Sequence, residues 1–147
     1  MTIHLVKLCV GCDTVQELAD WQVERLKELK RARQRPELCH RTLQAPKRRD
    51  EVLDGGSLYW VIKGFILVRQ RIIDLRPDRK QDGTPCCGIV LDPRLVTTRP
   101  QARRAFQGWR YLPVEDAPPD GRVIGREEGD MPPSMRAALR ELRLIDF

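Results

Sequence analysis

Apolar and polar positions change period several times along the 147-residue chain. Ile3, Leu5 and Lys7 alternate with His4, Val6 and Leu8, which predicts a first strand with apolar side chains on both faces, closed by Gly11. Thr14 and Glu17 then stand at capping-box spacing, where a hydroxyl and a carboxylate each satisfy a free backbone amide. Val15, Leu18, Ala19, Gln22, Leu26 and Leu29 recur at helical intervals. This spacing predicts a helix over about residues 14–34, with Lys30, Arg31 and Arg33 at its negative end and Pro36 as the stop.

Leu38 to Leu43 reads as a short strand and residues 45–50 as a loop, followed by the flexible turn Asp54-Gly55-Gly56-Ser57. Leu58 to Leu75 is rich in β-branched and aromatic residues, so it reads as strand, interrupted at Gly64 by a bulge or a tight Lys63-Gly64 turn. Asp82-Gly83 marks a hairpin and Cys87 to Leu91 the return strand. Leu95 to Thr98 and Phe106 to Leu112 read as further strands, and Arg122 to Gly125 as a short one in a Pro/Gly-rich stretch. A last helix starts near Pro133, with Met135, Ala138, Leu139 and Leu142 on one face.

The order β-α-β-β-β-β-α implies an α+β fold, with a curled, largely antiparallel sheet or small barrel between an N-terminal and a C-terminal helix. It speaks against a doubly wound parallel sheet. The length suits a single domain spanning residues 1–147. No apolar run approaches the ~20 residues that span a bilayer, and Met1 to Val10 lacks the pattern of a secretory leader. The expectation is a cytoplasmic protein with no membrane partner.

Charge changes the picture. The formal net charge is +6, and the surplus sits in the middle: residues 55–112 carry 11 basic and 4 acidic side chains. Residues 113–147 are net acidic. A basic central segment favours an anionic partner such as RNA or a ribonucleoprotein, although it also describes a soluble Arg-rich surface. Trp60, Arg69, Arg71, Arg103, Arg104, Trp109, Arg110 and Tyr111 all fall in this segment. Cations that meet phosphates and rings that stack on bases are the two parts that single-stranded nucleic acid needs. The plainer reading places Trp60, Phe65 and Phe106 in the sheet core and the arginines on a solvated face.

The five cysteines are odd in number, so a disulfide framework is not expected. Cys9-Val10-Gly11-Cys12 lies between a strand and a helix, where a helix N-terminus stabilises a thiolate for disulfide exchange. The same pair supplies half of a zinc site, which Cys39 with His40, Cys86 with Cys87, or His4 would have to complete. The bland alternative is small buried residues. Asp50, Glu51 and Asp54 could hold a divalent cation, or simply form ion pairs with Lys47, Arg48 and Arg49. No nucleophile elbow, zincin helix or P-loop occurs, so catalysis has little support.

The segments LCVGC (Leu8–Cys12), DGGSLYWVIKG (Asp54–Gly64), RQRIIDL (Arg69–Leu75) and FQGWRYL (Phe106–Leu112) resemble a family of small uncharacterised bacterial proteins, known only as a domain of unknown function. The resemblance spans nearly the whole chain and brings no catalytic residues with it. The aromatic strand 58–62, the glycine break and the basic strand 65–75 are also similar to PUA-like barrels of the ASCH and EVE type, which implies a small curled sheet that binds RNA or modified bases. The leading expectation is a non-enzymatic module that binds RNA or a ribonucleoprotein through residues 63–76 and 99–111. The alternative is a thiol-redox or structural zinc protein centred on Cys9 and Cys12.

Overall fold

Strand β1 (Ile3–Leu8) forms where the alternation predicts it and leads into helix α1 (Val15–Arg31) in the computed structural model, which describes residues 1–124. The predicted C-terminal helix lies outside the described residues. Thr14 Oγ1 accepts from the Glu17 N–H at 3.1 Å, and Glu17 Oε2 accepts from the Asp13 N–H, so the predicted cap forms with its return bond one residue earlier than in a standard box. Strand β2 (Leu38–Thr42) follows, and then the short helix α2 (Arg49–Leu53), which begins in the stretch read as a loop. Five residues are too few for a periodic signal.

Strands β3 (Ser57–Ile62) and β4 (Phe65–Arg79) form a two-residue hairpin. Lys63 and Gly64 take φ values of 49° and 84°, the left-handed pair that matches strand twist in such turns. Strands β5 (Pro85–Leu91), β6 (Leu95–Ala102), β7 (Trp109–Pro113) and β8 (Asp120–Ile124) complete the order.

All eight strands join one sheet, ordered β2-β5-β4-β3-β1-β7, with β6 between β4 and β8. The long strand β4 is the shared member. Its first half pairs β3 on one edge and β6 on the other, and its second half pairs β5. Register shifts near Ile66 and between Ile72 and Asp74 let it serve both sets of partners.

The expectation of a curled, largely antiparallel sheet or small barrel needs correction on two points. Strand β1 runs parallel to β3 while the other pairs are antiparallel, so the sheet is mixed. The chain crosses from β1 to β3 through α1, β2 and α2, and a crossover of that length permits parallel pairing. The sheet also stays open and does not curl round into a barrel, since the pairing path ends at β2 and β7. The likeness to PUA-like barrels is not confirmed.

Two apolar clusters lie on opposite faces of the sheet. The larger joins Leu5, Leu58, Trp60 and Ile72 to Val15, Leu18 and Ala19 of α1 and Val52 of α2. The smaller joins Val6, Tyr59, Val61, Ile66 and Leu112. Every residue of β3 is buried, because its alternate side chains enter both clusters.

Gly56 shows how tightly β3 is entered. A Cβ there would lie 2.2 Å from the Val52 carbonyl oxygen and 2.5 Å from that of Ile3. Both obstacles are backbone, so they cannot rotate away. Gly56→Ala is expected to cost roughly 1–3 kcal/mol, read as a lowered urea midpoint at unchanged slope. An unchanged midpoint would show that the β1–α2 approach is looser than described.

Candidate functional site

Strand register divides the basic and aromatic residues between different places. Arg69 and Arg71 share a face of β4, as their spacing predicts, opposite Tyr59 and Ser57. Arg69 does not reach outward as a free cation. It forks onto Asp120, with Nε and Nη2 at 2.8 and 2.6 Å from the two carboxylate oxygens, and donates to Ser57 Oγ at 3.0 Å. That hydrogen bond, more than charge alone, pulls the Asp120 carboxyl below its ordinary pKa. His4 closes the same pocket. Its Nδ1 accepts from the Ser57 N–H at 2.9 Å, which places the proton of the neutral ring on Nε2. Burial first, and Arg69 second, push its pKa down.

Trp60 is only 4% exposed and belongs to the core. Its Nε1 donates to Gln70 Oε1 at 2.9 Å, so it is held in the core and leaves the predicted surface. Tyr111 lies partly buried beside Trp109, with ring centroids 4.8 Å apart. Its hydroxyl accepts from the Arg48 N–H, which ties down the loop before α2. Arg103 and Arg104 follow β6, where the Arg103 N–H donates to the Gly64 carbonyl at 2.8 Å.

Trp109 and Arg110 are the predicted residues that come together with other cations. Trp109 pairs with Lys7 across β7 and β1, and its Nε1 donates to the Gln44 carbonyl at 2.8 Å. Arg110 lies over the Phe106 ring at 5.2 Å. Lys7, Arg41, Lys80 and Arg110 line a groove of about 620 Å³ with Trp109, and no carboxylate is among its lining residues. Arg41 is bonded from outside by Asp78 at 2.9 Å. Lys7 is half-buried, and desolvation lowers its pKa. An anion in the groove would favour its charged form.

Sequence reasoning missed Lys7, Arg41 and Lys80. Lys80 was countable within the basic segment. Lys7 and Arg41 gave no local signal, because the groove joins β1, β2, β7 and the turn after β4 only through the fold.

Cys9 and Cys12 meet each other, but among the described residues the thiols do not gather into a metal-holding group. All five cysteines are free, and among the described residues no group of three or more His, Cys, Asp or Glu side chains could hold a metal ion. Cys9 and Cys12 sit beyond β1, whereas Cys39 and His40 lie on β2, with Cys39 and His40 on opposite faces. The four residues of the candidate zinc set thus lie at two separate elements. Burial pushes the Cys9 thiol pKa upward, and the bond to Cys12 adds to the rise. Thr14 engages the Glu17 amide of α1 and Glu17 engages the Asp13 amide just before it, so a thiolate there would compete with the cap. Glu51 of the acidic cluster pairs with Arg48.

Among the described residues no helix is long and apolar enough to cross a membrane. The fold and its groove define a mixed-sheet α+β protein with a carboxylate-free cationic cleft. The chain belongs to the family described as "Protein of unknown function (DUF1489)", whose model matches residues 5–145. No curated protein and no solved structure matches the chain.

Proposed function

We propose that this protein is a non-enzymatic module that binds single-stranded RNA, free or within a ribonucleoprotein, in the groove of Lys7, Arg41, Lys80 and Arg110. The observation that carries the reading is the lining itself: Lys7, Lys80 and Arg110 beside one indole with no carboxylate in the wall, and Arg41 held from outside by Asp78. A polyanion gains there by releasing its condensed counterions, and Trp109 supplies a ring at the wall. The site keeps Trp109 and Arg110 from the sequence expectation and replaces Trp60 and Arg69, which are engaged within the protein.

Binding of a labelled uridine 12-mer, followed by fluorescence anisotropy from low to high salt, tests the reading. Affinity is expected to fall as salt rises. Lys80→Ala and Arg110→Ala should each weaken binding several-fold and flatten the logarithmic salt slope by roughly 0.7 per lost phosphate contact. Both side chains are exposed, so the fold should survive. No binding at low salt, or binding indifferent to both substitutions, would refute the groove.

A further inference from the structure

A second cleft opens between α1 and β2, an end strand of the sheet. Its inner end is a cavity of about 90 Å³ bounded by Trp21, Leu38, His40, Trp60 and Leu91. Its outer end widens to about 480 Å³ beside Arg25, Arg35 and Arg41, with Glu37 and Asp78 also on its wall. Arg25, Cys39 and His40 line both ends, and Arg41 lines both this cleft and the basic groove. Arg41 therefore stands between this cleft and the basic groove.

Two features of the inner end are not accounted for by folding. Trp21 is 67% exposed, a large ring set off the apolar stripe of α1. His40 Nε2 is buried and has no hydrogen-bond partner, and such atoms in folded proteins normally have one. Trp60 packs edge-to-face on His40, with centroids 5.1 Å apart, but its own polar atom is already committed to Gln70. The cavity thus has aromatic walls and one unmet polar demand. That combination suits a flat heterocycle with a hydrogen-bonding rim. At the outer end Arg25, Arg35 and Arg41 pair with Glu28, Glu37 and Asp78 at 3.5, 3.8 and 2.9 Å, and an anionic tail would exchange for one of these carboxylates.

We propose that this cleft is a nucleobase-binding site, in which the base stacks on Trp21, its edge engages His40 Nε2, and its sugar-phosphate leaves past Arg25 toward Arg41. The inference deepens the RNA reading and rests on it where the base belongs to a strand in the groove; a free nucleotide carries the same chemistry. His40 is neutral at ordinary pH, since burial lowers its pKa to about 4, so it meets an uncharged base without a charge penalty.

The test follows the indole N–H resonance of Trp21 in the full chain, assigned by its loss in Trp21→Phe. The four nucleoside monophosphates, a uridine and an adenosine 12-mer, and an abasic 12-mer are added separately. The Trp21 signal is expected to shift and saturate with base-containing ligands and to stay in place with the abasic strand. Trp21→Ala, which removes an exposed ring, and His40→Phe should each weaken base-containing ligands about tenfold, the scale of one lost stacking contact. Saturation by monophosphates identifies a free nucleotide as the source, and saturation by 12-mers alone identifies the strand. If 12-mers bind by anisotropy while Trp21 stays unmoved, or if Trp21→Ala leaves affinity intact, the base site is overturned and the groove reading stands. If no ligand binds at low salt, both fall.

Discussion

Gln70→Leu is expected to destabilise the protein by about 3–5 kcal/mol, read from the shift of its urea midpoint. Gln70 is fully buried in β4 and makes four hydrogen bonds. Its Oε1 accepts from Gln22 Nε2 at 2.8 Å and from Trp60 Nε1 at 2.9 Å. Its Nε2 donates to Gln22 Oε1 at 2.9 Å and to the Asp92 carbonyl at 3.0 Å. The amide can point only one way, because an indole N–H only donates and a carbonyl only accepts. Leucine fits the volume but leaves the indole and the Gln22 amide unmet and takes one donor away from the Asp92 carbonyl. Each such buried group costs ~1–3 kcal/mol, less whatever local relaxation recovers. Adding Gln22→Leu removes one stranded partner, so the double variant should be more stable than the summed single effects imply. A loss below about 1 kcal/mol for Gln70→Leu would mean that water or repacking replaces the hub.

The second large effect is a loss of stability on mild acidification. Burial lowers the His40 pKa from 6.5 to about 4, with the Lys7 charge acting in the same direction. Between these two values the unfolded chain binds a proton that the folded chain refuses. Stability therefore falls as pH drops below 6.5 and levels off for this group near pH 4. A shift from 6.5 to about 4 corresponds to roughly 3–3.5 kcal/mol as an upper bound. His4 acts in the same sense. Asp74 and Asp120 have lowered pKa values and contribute in a lower window: their stabilisation holds above the ordinary carboxylate pKa of 3.8 and is lost as pH falls further. His40→Phe should remove most of the slope between pH 6.5 and 4 in urea titrations while leaving the lower one. An unchanged slope would show that His40 accepts its proton readily in the folded state.

Much of the fold was legible where signals are local. The alternation of Ile3 to Leu8, the cap at Thr14, the stripe from Val15 to Leu29 and the Lys63-Gly64 turn each appear within a residue or two of the expected place. Gln22 on an otherwise apolar stripe and Trp21 beside it were readable oddities, a polar group that needs a partner and a ring that faces out. What escaped was non-local. The fate of Arg69 depended on Asp120, 51 residues away, and that of Trp109 on the Gln44 carbonyl, 65 residues away.

The amino-acid pattern alone determined the strands, the first helix and the basic character of the central segment, because periodicity, capping and charge act over a few residues. Only the tertiary structure decided which cations stand beside Trp109, which arginine turns inward to a carboxylate, and that β1 runs parallel to β3. Those outcomes depend on which distant strands share an edge, and strand pairing is settled by burial summed over the whole sheet.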